Sequence, residues 1–188
     1  MSENLDYEIN KELGECYLFM GDLDKAQEYY EKAASSNGVH ADPYMGLATI
    51  AVQRGQLDEA LDLYQRAAAV EASDKALAGI GLVRMEQNNL DEAYARFVES
   101  LAINPENHVA LFGIVQTGYT LDRLEDVVPM LEKCLAVDPM KSDVRYTLAG
   151  CLVSLGQTTE AGRHLEIILE HEPGHQTARE LYEQVTAV

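Results

Sequence analysis

Three observations predict an all-α fold of stacked antiparallel helix pairs. The first is a period: GDLDKA at 21–26 returns as GQLDEA at 55–60, NNLDEA at 88–93, DRLEDV at 122–127 and GQTTEA at 156–161, at spacings of 34, 33, 34 and 34 residues. A fixed period of this size marks a repeated supersecondary unit. The second is that apolar residues within a unit recur at steps of three and four, which places them on one face of a helix. The third is that large and small residues keep to fixed slots from unit to unit, as close packing of interiors demands.

The units run over 7–40, 41–73, 74–107, 108–141 and 142–175, within a single domain spanning 1–188. In the first helix of each, Leu13, Leu47, Ile80, Ile114 and Leu148 fill a large slot, followed by Gly14, Ala48, Gly81, Val115 and Ala149. In the second helix, Ala26, Ala60, Ala93, Val127 and Ala161 form a small slot, and Tyr30, Tyr64, Phe97, Leu131 and Leu165 a bulky one.

Unit by unit, the first has about six residues before it and an acidic first helix. In the second, Asp42 and Pro43 read as an N-cap with proline in the first turn, and Gly55 ends the helix by accepting the left-handed conformation. That unit is one residue short around Glu71 to Ser73. In the third, GIGLVR at 79–84 begins like a dinucleotide fingerprint but lacks the third glycine and a preceding strand, so it reads as helix interior. In the fourth, Pro129 lies inside the second helix, where losing one hydrogen bond should bend or delay it. In the fifth, Thr158 replaces the leucine of the turn. Residues 176–188 read as one further helix that caps the last hairpin.

Composition narrows the function. With 32 acidic and 14 basic residues the net charge is −18, which repels phosphate backbones and anionic lipid surfaces. Nucleic acid and membrane insertion are therefore not expected. The N-terminal MSENLDYEIN has neither the basic start nor the apolar run of a secretory signal. Cys16, Cys134 and Cys151 are an odd, widely spaced set that reads as reduced, buried thiols of a cytoplasmic protein. HEPGH at 171–175 matches the zinc-protease pattern, yet Pro173 and Gly174 break the helix on which that pattern depends. No metal, cofactor or catalytic residue is expected, and paired acids such as Asp58 and Glu59 read as first-turn residues beside a helix's positive end.

The Leu13-Gly14 doublet, the turn glycine, Ala60, Tyr64, the further small residues Ala33, Ala67, Ser100 and Cys134, and Pro105, Pro139 and Pro173 together resemble the tetratricopeptide repeat. The resemblance runs from Tyr7 to His175. It implies a right-handed superhelical solenoid whose first helices line a concave groove. By resemblance that groove carries Glu8, Glu12, Glu15, Asp42, Met45, Gly46, Thr49, Val52, Gly79, Leu82, Met85, Phe112, Gly113, Gln116, Tyr119 and Tyr146. Gly46, Gly79 and Gly113 fall in equivalent places, and either open the groove floor or allow tight packing between adjacent first helices. Lys11 and Lys75 match two places of the carboxylate clamp found in some relatives, but Glu15, Gly46 and Gly79 stand where its other members belong.

The resulting expectation is a bacterial interaction module or scaffold, monomeric or weakly dimeric. It would hold a protein or peptide segment with apolar anchors against Met85, Phe112 and Tyr119 and a basic flank towards Glu8, Glu12, Glu15 and Asp42. Alternatives are an assembly or secretion chaperone, a self-assembling scaffold like the magnetosome repeat proteins, or the docking region of a larger enzyme.

Overall fold

The computed structural model describes residues 2–36 and 40–187. The end of the first repeat at 37–39 and the last residue of the capping segment lie outside the described residues. Among those described, every regular element is α-helical. The helices are α1 (Ser2–Phe19), α2 (Leu23–Ser36), α3 (Asp42–Gln53), α4 (Leu57–Val70), α5 (Asp74–Glu86), α6 (Leu90–Ile103), α7 (His108–Thr120), α8 (Leu124–Val137), α9 (Ser142–Ser154), α10 (Thr158–His171) and α11 (Gln176–Thr186). They fall into two compact units, residues 1–103 and 104–188. No helix among the described residues is long and apolar enough to cross a membrane.

All five hairpin turns use one device. Gly21, Gly55 and Gly156 have φ of 78°, 73° and 76°, and the equivalent residues of the third and fourth units, Asn88 and Asp122, have φ of 59° and 56°. The left-handed conformation is cheap for glycine and accessible to Asn and Asp, whose short polar side chains bond locally. The period in the sequence is therefore a period in backbone geometry, kept where glycine is not.

Helix starts show where local reading went astray. Asp42 is not the N-cap: that position is Ala41, which gives no side-chain cap. The Met45 N–H donates to the Ala41 carbonyl at 3.1 Å, so helical bonding begins one residue earlier than the Asp-Pro pair suggests. Ser73, Asn107 and His175 are true caps, accepting from the N–H of Ala76, Ala110 and Ala178 at 3.2, 2.9 and 3.2 Å. Helix α1 begins at Ser2, ahead of Tyr7, where the repeat pattern starts. Pro129 does not delay α8, which starts at Leu124 and runs through it. The ring lies on the exposed side, where water can satisfy the carbonyl that loses its donor.

In the first unit the core is a chain of rings in alanine-lined holes. Tyr30, with Ala26, packs on Ile50 of the next hairpin. Tyr64, with Ala60, packs on Ile80 and Val83, and Phe97 is wholly buried. Helices α2 and α4 thus join their own first helices to the following ones, and burial of each ring contributes roughly 1.5–3 kcal/mol. Polar ties follow the same course: Arg54 reaches Asp24 at 2.6 Å, Gln87 reaches Asp58 at 3.0 Å, and Ser100 Oγ donates to the Asp74 carbonyl at 2.8 Å.

In the second unit the slots are filled by aliphatic residues. Val127, Leu131 and Cys134 of α8 and Ala161, Leu165 and Ile168 of α10 are buried. Lys141 pairs with Glu106 at 2.5 Å, tying the loop before α7 to the start of α9. Helix α11 buries Ala178 and turns Arg179, Glu180 and Glu183 outward.

Candidate functional site

The most open apolar surface of the second unit lies on α7. Val109, Phe112, Gln116 and Tyr119 are all exposed at helical spacing, with Phe112 66% and Tyr119 69% accessible. Two cavities of about 610 and 350 Å³ adjoin this face. The first is lined by His108, Leu111, Phe112, Val115, Gln116, Leu131, Asp143, Val144 and Thr147. The second shares Val115, Gln116 and Thr147 and continues along Tyr119, Leu124, Gly150 and Cys151. Together they form a trough between α7 and α9.

The trough has a cause in the repeat pattern. Leu131 occupies the slot in which Tyr30, Tyr64 and Phe97 place rings, so α8 sends a smaller group towards α7. Val115 occupies the slot held elsewhere by Gly14, Ala48, Gly81 and Ala149. Gly14 and Gly81 lie against the Tyr30 and Phe97 rings of their own hairpins. Val115 and Leu131 both line the first cavity, where the pairing of a ring with a small residue seen at Gly14 and Gly81 is absent. Gly150 faces that space, since a Cβ built on it would meet nothing within 4 Å. Burial pushes the Cys151 thiol up, so it contributes an apolar wall rather than a reactive thiolate. Cys134 is buried too, but Cys16, expected to be buried, is exposed, because no second helix precedes it on its face of α1 among the described residues.

The glycines expected on the groove floor are buried. A Cβ on Gly46 would lie 2.3 Å from Tyr30, and one on Gly79 2.5 Å from Tyr64. Tight packing is what these two positions serve, but the packed element is the second helix of the preceding hairpin and not the adjacent first helix, because the tyrosine ring of that second helix reaches over the glycine. Gly113 is also buried. Met45, Leu82 and Met85 are half-buried, Thr49 donates to the Met45 carbonyl at 3.0 Å, and Val52 lies at the exposed edge. Tyr146 is half-buried and stacks on His175, ring centroids 5.8 Å apart.

The acidic residues of the first unit gather around two tyrosines. Tyr7 is buried, and its hydroxyl has no hydrogen-bond partner of good geometry. Burial first, then the carboxylates of Asp42 and Glu8, push it up to about 12. Burial, then Glu15 and Asp42, push Tyr30 up to about 12 as well. Glu8, Glu12, Glu15 and Asp42 are exposed, and Glu8 pairs with Lys11 at 3.3 Å.

The motif that looked like metal chemistry is divided between two helices. His171 ends α10, and His175 caps α11 through Nδ1. Among the described residues no group of three His, Cys, Asp or Glu side chains is disposed to hold a metal.

Sequence reasoning found the exposed face of α7 but not the cavity wall. The alignment puts Val115 in a mostly small slot and Leu131 in a bulky one, and by itself says nothing of a cavity between them and α9. The available signal was that both depart in size, in opposite directions, within one hairpin.

Known proteins place the chain as follows. Two models described as tetratricopeptide repeat match residues 11–76 and 119–185. A curated relative, the BBSome complex member BBS4 of Bos taurus, is 29% identical over 107 residues, covering 56% of this chain and 20% of that protein. The chain thus spans about a fifth of that relative's length. Among solved structures, pilF of Pseudomonas aeruginosa superposes with a TM-score of 0.78 at 18% identity, covering 100% of this chain and 86% of its own. YrrB, described as a repeat protein with an unusual peptide-binding site, superposes with a TM-score of 0.65 at 17% identity, covering 89% and 87%. Likeness at these identities concerns the fold.

Proposed function

We propose, from the premise that this chain belongs to the tetratricopeptide repeat family, that it is a protein-interaction scaffold whose second unit holds an apolar segment of a partner in the trough between α7 and α9. The observation that carries this reading is the juxtaposition of Phe112 and Tyr119, both largely exposed, with the adjoining cavities. Large aromatic groups beside a shaped apolar recess are the usual anchors of an interface, and a few of them supply most of the affinity. Cavities of this volume take one or two bulky side chains rather than a whole folded element.

Two likenesses support the scaffold reading: one relative is named as a member of a complex, and one structural neighbour is described as having a peptide-binding site. The net charge of −18 favours a cationic partner. Exposed charge pairs contribute only about 0–1 kcal/mol each, so they set orientation and association rate more than affinity.

The test uses peptides selected against the whole chain from a random displayed library. Phe112→Ala combined with Tyr119→Ala is expected to weaken the selected peptides at every salt concentration, by roughly 2–4 kcal/mol in all. Charge reversal at Asp143, which lines the first cavity, is expected to matter mainly at low salt. Unchanged affinity in the aromatic double variant, with the fold retained, would place the working surface elsewhere.

A further inference from the structure

Helix α1 carries an apolar stripe that nothing among the described residues of the first unit covers. Leu5, Ile9, Cys16 and Phe19 are exposed, with Leu5 61%, Ile9 46% and Phe19 94% accessible. With Glu12 they sit at alternating steps of four and three, the spacing of a seam between paired helices.

The neighbouring hairpins identify this face. Aligned by unit, Ile9, Glu12 and Cys16 correspond to Pro43, Gly46 and Ile50 in α3 and to Ala76, Gly79 and Val83 in α5, all buried. What buries them is the second helix of the preceding hairpin. Tyr30 lies on Gly46 and packs with Ile50. Tyr64 lies on Gly79 and packs with Val83, while Ala67 packs with Ala76. Helix α1 presents the same docking face, and among the described residues no helix occupies it.

We propose that this face receives an amphipathic helix of a partner protein, lying as the second helix of a preceding hairpin would lie, with a lysine or arginine at its centre. Glu12 decides the chemistry. In α3 and α5 the slot is glycine because a tyrosine ring fills the space above it. A glutamate excludes such a ring and sets a carboxylate in the middle of an apolar seam, with Glu8 and Glu15 one turn away on either side. A wholly apolar helix would strip water from that carboxylate without replacing it, which is unfavourable, and an acidic one would be repelled. A basic centre satisfies Glu12 while apolar neighbours cover Ile9 and Cys16. A second copy docking α1 on α1 would set Glu12 against Glu12, and the outward residues of α11, Arg179, Glu180 and Glu183, offer no apolar counterpart.

The probe is a synthetic helical peptide of about three heptads with leucines along one seam and a lysine at its centre, alongside a twin with glutamate in place of that lysine. Both are titrated against the whole chain. The lysine peptide is expected to bind roughly tenfold more tightly than its twin and to protect Cys16, the exposed cysteine, from iodoacetamide. Glu12→Lys is expected to reverse the preference, and Ile9→Asp to abolish binding. Phe112→Ala with Tyr119→Ala should leave it unchanged, which separates this surface from the α7 trough. Equal binding of the two peptides, full reactivity of Cys16 at saturation, or an unchanged preference in Glu12→Lys would overturn the proposal. Self-association of the unliganded chain that Ile9→Asp removes would overturn it in favour of a second copy as the occupant.

Discussion

Gly79 and Gly150 both lie inside first helices, and alanine is the better helix former at either by about 1 kcal/mol. The surroundings decide the sign. At Gly79 the added methyl would lie 2.5 Å from the Tyr64 ring, which is buried in one cluster with Ala60, Ile80 and Val83. Overpacking of this kind costs about 1–3 kcal/mol, so Gly79→Ala is expected to destabilise the protein by about 1–2 kcal/mol net. At Gly150 the methyl would meet nothing within 4 Å, so Gly150→Ala is expected to stabilise it by about 0.5–1 kcal/mol. Urea denaturation followed by circular dichroism measures both. Equal effects at the two sites would mean that ring packing is not what holds glycine at position 79. Residues sharing a mid-helix sequence context thus differ in role according to what stands opposite them.

At the level of the helix, α8 shows a local rule overridden by its surroundings. Pro129 lacks an N–H, and an interior proline costs about 3 kcal/mol against alanine, yet the helix continues from Leu124 to Val137. Buried Leu124, Val127, Leu131, Cys134 and Leu135 hold both halves to the same core, and the ring projects to the exposed side. Pro129→Ala restores the missing bond and removes the ring's clash, while enlarging the conformational freedom of the unfolded chain. The balance is an expected gain of about 2 kcal/mol, read from the midpoint of chemical denaturation. No gain would show that the backbone around Pro129 has already relaxed to accommodate it. The turns show a local rule that holds: Asn88 and Asp122 keep the left-handed geometry where glycine is absent, being the residue types other than glycine that reach it most readily.

For the whole molecule, charge is the dominant long-range fact. The exposed ion pairs, among them Lys25–Asp22 at 3.0 Å and Arg66–Asp62 at 3.1 Å, are individually weak. They leave most of the 32 acidic groups uncompensated. Self-repulsion at −18 opposes the compact state and is screened by salt. Raising sodium chloride from about 20 to about 300 mM is expected to raise Tm by about 2–4 °C, followed by circular dichroism at 222 nm. A fall in Tm would mean that the ion pairs outweigh the repulsion.

The periodic part of the molecule was legible in the sequence because it rests on local rules. The 34-residue return of GDLDKA set the number of hairpins, the three-and-four spacing of Leu47, Ala48 and Ala51 marked a helix face, and Gly55 marked a turn. The helix faces that pack, and the exposed Phe112 and Tyr119 beside Gln116, followed from the same alignment. What the alignment could not supply was which residue of one helix lies over which residue of another. That Tyr30 covers Gly46, that Leu131 and Val115 together leave a trough beside α9, and that Ile9, Glu12 and Cys16 form an uncovered docking face are facts about pairs distant in sequence. Periodicity reports each residue's direction from its own helix axis, whereas cavities and docking faces arise from the difference in volume between side chains meeting across an interface, and only the folded chain brings those side chains together.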